Sequence, residues 1–259
     1  MLPIIVILFL PFMGSNYSLL FTGVLVPLAT GVVWALYRYH FCPSDTHRSV
    51  AVKTQQGLRR YVLLESTHGK PDSVLQAFKE YARKDRTIKK LLFTAEQECF
   101  LEKTAKQCYP RTTLLLGTQC GFSAICLLQL LPTDGMLYAI ELEESMAESA
   151  EEMILVAGFK NNQFRLLCRH PVDAIHVLKS QFGVKKVDFV LMDYQCDQQM
   201  EDLLALAEVG LLFTGTLILI NNTDHPASKG FIENITRAEG YMIVDACNGL
   251  LKVEYVQSQ

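Results

Sequence analysis

Apolar residues after position 57 recur with two different spacings, and each spacing predicts a different kind of element. Short apolar runs of four to six residues alternate with longer segments in which apolar residues return every three or four positions. The short runs are typical of buried strands, and the second spacing is typical of amphipathic helices. The predicted strands are 113–116, 136–140, 164–168, 187–192, 216–220, 241–244 and 251–256. The predicted helices are 58–64, 74–84, 95–107, 124–131, 147–157, 172–182, 200–209 and 231–238.

The order of these elements predicts an α/β fold with a doubly wound, mostly parallel, seven-stranded sheet. Strands and helices alternate, and the strands are apolar on both faces, as expected when helices cover both sides of a parallel sheet. The last two strands follow each other closely and are expected to form an antiparallel hairpin at one edge. Ligands of such folds bind at the carboxyl ends of the strands.

The amino terminus has a different pattern, because no Asp, Glu, Lys or Arg precedes Arg38. Segment 19–37 is uncharged, and about 19 residues at a rise of about 1.5 Å span about 28 Å, close to the apolar thickness of a bilayer. Basic residues follow it, which predicts that the remaining chain faces the cytosol. We therefore expect a single-pass membrane anchor in 1–40, a linker in 41–56 and a folded domain in 57–259. The alternative, a cleaved signal peptide over 1–13, lacks a basic amino-terminal region.

Composition narrows the class of partner and the redox compartment. The formal net charge is −3 and the pI is about 6.1. Such a chain has no strongly basic surface, which disfavours nucleic acid as a partner. The eight cysteines include no C-x-x-C pair. We interpret them as small buried hydrophobic residues in a reducing compartment rather than as a disulfide set.

The residues that end the predicted strands carry the candidate chemistry. Gly117 and Gly121 lie in the turn after the first strand, where glycine lets the backbone approach a ligand closely. Glu141 ends the next strand, and a carboxylate at that position can accept both hydroxyls of a ribose. The order of strand, glycine turn, helix, strand and acid favours a nucleoside-cofactor site. A plain tight turn is the alternative interpretation.

Several segments together resemble the catechol O-methyltransferase family, including its transmembrane relatives. They are 69–75 (GKPDSVL), 116–124 (LGTQCGFSA), 157–159 (AGF), 187–193 (VDFVLMD) and 210–216 (GLLFTGT). The resemblance covers about 58–259, and the spacing between the segments also fits. An anchoring helix before the catalytic domain is likewise found in that family.

The resemblance implies a set of cofactor residues by position. By this resemblance, Gly117 and Ser123 of this chain would contact the methionine part of S-adenosylmethionine (SAM), and Glu141 would hold the ribose. Phe93 matches a position that touches the cofactor, and Gly121 belongs to the same glycine-rich turn. The implied fold is therefore a Rossmann-like SAM methyltransferase domain.

The resemblance also implies a metal ion. Asp193, Asn221 and Asn222 match the three protein ligands of the family's Mg²⁺. That ion would grip both oxygens of a catechol and lower the pKa of the attacking hydroxyl. Without the resemblance, Asp193 is equally interpreted as a carboxylate that caps a strand end, and the two asparagines as turn residues.

Five departures from the family pattern fall around this site. Asn221 stands where the family has an aspartate, so one carboxylate is lost from a site for a hard cation. Cys196 stands where the family has a lysine near the substrate hydroxyl, and a thiol acts as a base only with a lowered pKa. The others are Leu115 in place of an acid, Pro171-Val172 in place of a polar pair near the adenine, and a deletion between Ala246 and Gly249.

These observations leave three functional hypotheses. The first is a membrane-anchored O-methyltransferase that uses SAM, and weakly held Mg²⁺, on a catechol-type hydroxyl. The second is a catalytically degenerate member that keeps the fold as a scaffold or binds a protein partner. The third is transfer to a different acceptor, such as a thiol or a protein. His170 and His225 lie near the same edge and are interpreted as solvated rather than catalytic.

Overall fold

The computed structural model describes residues 45–194 and 198–256. The predicted membrane segment 19–37 therefore lies outside the described residues. Within the described ranges, no helix combines the length and the apolar character needed to cross a bilayer.

Seven strands form one mixed sheet in the order β3-β2-β1-β4-β5-β7-β6. Neighbours from β3 to β5 run parallel, whereas β7 pairs antiparallel with both β5 and β6. The predicted α/β class and the predicted terminal hairpin are thus confirmed. The strands are β1 Thr112–Leu116, β2 Met136–Glu141, β3 Phe164–Cys168, β4 Phe189–Met192, β5 Leu217–Ile220, β6 Tyr241–Cys247 and β7 Leu250–Tyr255.

Helices connect these strands and also precede the first of them. In chain order they are α1 Asp45–Glu65, α2 Pro71–Ala82, α3 Arg86–Lys89, α4 Ala95–Cys108, α5 Phe122–Leu130, α6 Glu144–Val156, α7 Pro171–Ser180, α8 Gln199–Glu208 and α9 Lys229–Arg237. A 3₁₀ turn, Pro226–Ser228, precedes α9. Segment 41–56 is expected to be a linker, but α1 begins at Asp45. The four-residue helix α3 is not among the predicted elements.

The sheet has an apolar core on each face, because the side chains of its central strands alternate between them. Leu115 packs with α2, α4, α5 and α6 through residues such as Phe78, Leu101 and Ile125. Its neighbours in β1, Leu114 and Leu116, point to the opposite face and pack with α7, α8 and α9. Burial on both faces explains why β4 and β5 consist of apolar residues and why β1 ends in three leucines.

The register brings the carboxyl ends of four strands level. Leu116 of β1 pairs with Ile140 of β2 and with Met192 of β4, which itself pairs with Ile220 of β5. The next residue on each strand therefore lies in one row across the sheet. That row consists of Gly117, Glu141, Asp193 and Asn221.

The hairpin between β6 and β7 turns over Asn248 and Gly249. Both residues have positive φ, 45° and 79°. Positive φ at both central residues defines a type I′ turn, for which Asn-Gly is the preferred sequence. The pairing of β6 with β7 is irregular between Ile243 and Asp245. Among the described strands, β6 forms one edge of the sheet.

Candidate functional site

The turn after β1 approaches the end of β4 closely. Gly117 has a φ of 85°, and a Cβ added to it would lie 2.7 Å from the carbonyl oxygen of Asp193 and 3.0 Å from the Cβ of Tyr194. The nitrogen of Gly117 donates to the carbonyl of Ile140 at 2.9 Å. The sequence needs glycine here because any other residue would be strained in this conformation and would collide with backbone.

Gly121 begins α5 and serves helix packing. Its φ is 91°, and an added Cβ would lie 3.1 Å from both the Cα and the carbonyl oxygen of Ala150 in α6. Its nitrogen donates to the carbonyl of Thr118 at 2.8 Å, which closes the turn. Gly121, a predicted cofactor residue, therefore lies where α5 packs against α6, at the other end of the turn that begins at Gly117.

Glu141 binds the glycine turn through both oxygens of its carboxylate. Oε2 accepts from the nitrogens of Thr118 and Gln119 at 3.0 and 2.9 Å and from the Thr118 hydroxyl at 3.2 Å. Oε1 accepts from the nitrogens of Leu142 and Glu143 at 2.9 and 3.2 Å. Five donors thus occupy a group with about four lone-pair positions. This carboxylate therefore holds the turn in place.

Asp193 is almost fully buried, at 2% exposure. Its Oδ1 accepts from Nδ2 of Asn221 at 2.8 Å, and its carbonyl oxygen accepts from Nε2 of Gln119 at 2.8 Å. Burial raises the pKa of Asp193 to about 6, Glu141 contributes in the same direction, and the Asn221 amide and the Ser123 hydroxyl oppose the rise. The carboxylate is therefore held in an apolar setting with an amide as its partner.

Ser123 and Phe93 lie on the side of the site formed by α5. The Ser123 hydroxyl is buried without a partner at hydrogen-bond geometry within the described residues, although it is close enough to lower the pKa of Asp193. Phe93 is buried and packs edge-on against Phe122, with ring centroids 6.1 Å apart. Ser123 is thus a polar group with spare hydrogen-bonding capacity, and Phe93 supports the start of α5.

Asn222, the residue after Asn221, has a left-handed backbone conformation with a φ of 62°. Its nitrogen donates to Oδ1 of Asn221 at 2.8 Å, and its carbonyl oxygen accepts from the Ser228 hydroxyl at 2.8 Å. These contacts fix the loop between β5 and the 3₁₀ turn. His225 also has a local role, since its Nδ1 accepts from the nitrogen of Ala227 at 3.3 Å.

Gln97 was missed by the sequence analysis. It is buried at 9% exposure, and its Nε2 donates to the carbonyl of Asn248 at 2.8 Å and lies 3.4 Å from Oδ1 of Asn221. Its Oε1 accepts from the nitrogen of Thr94 at 2.9 Å, completing a capping box at the start of α4. The Thr-x-x-Gln spacing predicts a helix start, but a contact with the end of β5 has no local signal.

Three further residues of the site were also missed. Thr118 and Gln119 form the turn that Glu141 and Asp193 hold, and Asn248 joins the hairpin to α4 through Glu96, at 2.8 Å. Three residues that depart from the family pattern have structural positions here. Leu115 is buried in the core, and Pro171 and Val172 begin α7. Cys196 lies outside the described residues.

The residues present suit a nucleoside cofactor better than they suit a divalent cation. The close approach at Gly117, the acid that ends β2 and the buried Ser123 hydroxyl fit a ligand with ribose and amino-acid groups. For the predicted Mg²⁺, the Asn221 group facing Asp193 is an N–H donor rather than an oxygen. That arrangement does not fit ligation of a cation by Asp193, Asn221 and Asn222.

Comparison with known proteins agrees with the fold. TomG, an O-methyltransferase from Streptomyces achromogenes solved in complex with SAM, superposes with a TM-score of 0.57 at 22% identity, covering 71% of this chain and 89% of that one. The fold is that of the SAM-dependent methyltransferases.

Sequence comparison gives the family. Residues 65–241 match the O-methyltransferase family model, and the chain belongs to that family. It is 27% identical over 215 residues to catechol O-methyltransferase of Mus musculus, covering 83% of this chain and 80% of that protein. It is 26% identical over 173 residues to transmembrane O-methyltransferase of Homo sapiens, covering 67% of this chain and 59% of that protein.

Proposed function

We propose that this chain binds SAM at the row formed by Gly117, Glu141, Asp193 and Asn221, and transfers its methyl group to a hydroxyl of a small catechol-type acceptor. The observation that carries the proposal is the Gly117 turn, which lies against the Asp193 carbonyl with Glu141 bound behind it. Membership of the O-methyltransferase family and the names of its catechol O-methyltransferase relatives support the acceptor class.

Each residue has a physical role in this proposal. SAM supplies a methyl group on a positively charged sulfur, which an oxygen nucleophile can attack in line. Glu141 orders the turn and offers its carboxylate to the ribose hydroxyls by exchanging some of its backbone donors. Ser123, whose hydroxyl lies beside Asp193, offers its oxygen as an acceptor to the amino-acid end of the cofactor. The chain thereby contributes orientation, which is a large part of catalysis in two-substrate reactions.

A second function, a partner-binding scaffold without catalysis, is favoured by one specific observation. The polar groups of the row are already satisfied by the protein itself: Gln119 donates to the Asp193 carbonyl, and Asn221 donates to its carboxylate. A fold kept only as a scaffold would retain such internal bonds. Such a scaffold would not need to bind a cofactor.

Calorimetric titration of SAM into the full chain separates the two functions. The enzyme is expected to bind SAM with a roughly micromolar Kd and to methylate a catechol, whereas ATP, which shares only the adenosine part, should bind far more weakly. The scaffold would give no heat and no thermal shift at millimolar SAM while remaining folded. If the chain binds SAM but methylates only thiols or proteins, the proposed cofactor site is correct and the proposed acceptor class is wrong.

We also propose that segment 19–37 anchors the chain in a membrane with its folded domain in the cytosol. The uncharged segment and the basic residues after it support this topology, as does the name of the transmembrane O-methyltransferase relative. The full chain is expected to stay in the membrane pellet after alkaline extraction. Arginines in place of Leu25 and Val32 each cost about 2.5–3.5 kcal/mol near the bilayer centre, so that double variant should be released; equal retention would contradict the anchor.

A further inference from the structure

The side-chain amide of Asn221 has an orientation fixed by its partners. Its Nδ2 donates to Oδ1 of Asp193 at 2.8 Å, and its Oδ1 accepts from the nitrogen of Asn222 at 2.8 Å. Rotating the amide by half a turn would place its oxygen against a carboxylate and its N–H group against another N–H donor. The hydrogen-bond network, which is the usual basis for assigning an amide, therefore allows one orientation.

Gln97 supports that orientation from a different part of the chain. Its Nε2 donates to the carbonyl of Asn248 at 2.8 Å and lies 3.4 Å from Oδ1 of Asn221. Its own oxygen is held by the nitrogen of Thr94 at 2.9 Å. Two amides thus link the start of α4 to the buried carboxylate: the Gln97 N–H group faces the oxygen of Asn221, and the Asn221 N–H group donates to Asp193.

A divalent cation beside Asp193 would need the opposite polarity. Mg²⁺ takes oxygen ligands in near-octahedral geometry, whereas the atom facing the carboxylate is a nitrogen that carries hydrogens. Over residues 45–194 and 198–256, no cluster of three or more His, Cys, Asp or Glu side chains is suited to hold a metal ion. A buried carboxylate still requires a partner, and the Asn221 amide supplies one.

We infer that the amide of Asn221, held in its orientation by Asn222 and Gln97, takes the place of a divalent cation as the partner of Asp193, so that this site is built to work without metal. The inference deepens the proposed function and rests on it only in predicting methyl transfer that tolerates EDTA. Its statement about metal binding holds whether or not the chain is an enzyme. The aspartate variant Asn221→Asp should restore what is missing, because it replaces the N–H donor by a second carboxylate.

The test measures Mn²⁺ binding to the full chain by the loss of the free-ion signal in electron paramagnetic resonance. Three proteins are compared: the unaltered chain, Asn221→Asp, and Asn162→Asp as a control that adds the same charge at an exposed position away from the row. We expect at least about tenfold tighter Mn²⁺ binding by Asn221→Asp than by the other two, equivalent to about 1.4 kcal/mol. Mg²⁺ should compete for that site.

Melting curves provide a second readout if the variant folds poorly. Two adjacent carboxylates should lower the melting temperature of Asn221→Asp in EDTA, and Mg²⁺ should recover it, while neither reagent changes the unaltered chain. Stoichiometric Mn²⁺ binding by the unaltered chain that disappears in Asp193→Ala would overturn the inference. Absence of SAM binding with these metal results intact would instead overturn the proposed function alone.

Discussion

Gly117→Ala is expected to abolish SAM binding and to lower the melting temperature by roughly 4–20 °C. The left-handed conformation costs an alanine about 1–2 kcal/mol, and displacing the Asp193 carbonyl, 2.7 Å from the new Cβ, adds about 1–3 kcal/mol. A chain of this size loses about 2–4 °C for each kcal/mol. Thermal denaturation and calorimetric titration of SAM measure the two effects.

Gly183→Ala is the matched control for this substitution. Gly183 also has positive φ, 66°, but an added Cβ there would have no atom within 4 Å. Its melting temperature should fall by the smaller amount of about 2–8 °C, which reports the backbone strain without the collision, and its SAM affinity should stay unchanged. Equal destabilisation by the two alanines would mean that the approach of the turn to Asp193 has no energetic weight.

Glu141→Gln is expected to lower the free energy of unfolding by about 1–3 kcal/mol and to weaken SAM binding at least about tenfold. A glutamine has one acceptor oxygen, so it can serve the nitrogens of Thr118 and Gln119 or those of Leu142 and Glu143, but not both pairs. The pair that loses its acceptor would loosen the turn. Chemical denaturation measures the first effect and calorimetry the second.

The control for this change is Glu144→Gln, which removes the same charge three residues later at an exposed position. Its stability should change by less than about 0.5 kcal/mol, as for most surface substitutions. If Glu141→Gln unfolds and binds SAM like Glu144→Gln, then the carboxylate of Glu141 neither orders the turn nor contributes to the cofactor site.

The framework of the site could be predicted because it follows from strand pattern alone. Uninterrupted apolar runs located the central strands to within two residues, and β3 was predicted with the bounds that the structure has. Once those strands are parallel and in register, Gly117, Glu141, Asp193 and Asn221 must lie in one row. Local pattern therefore determined which backbone positions meet.

The polarity of the site could not be predicted in the same way. The contacts of Gln97 with Asn221 and Asn248 join residues 124 and 151 positions apart, and no periodicity encodes them. Nor does composition reveal which end of the Asn221 amide faces Asp193. An asparagine offers an oxygen or an N–H group equally well, and its surroundings decide which one.

The position of β7 has a consequence for how the chain is made. Strand β7 lies between β5 and β6 with four of its six residues buried, so β6 has no described partner strand until Leu250–Tyr255 have been synthesised. Until then Met242, Ile243 and Val244, which remain 40–47% exposed even in the finished sheet, form an unpaired apolar strand. Unpaired strands of this kind invite aggregation. Folding of the sheet edge therefore depends on Leu250–Tyr255, and a truncation that removes this strand would damage the sheet far more than its six residues suggest.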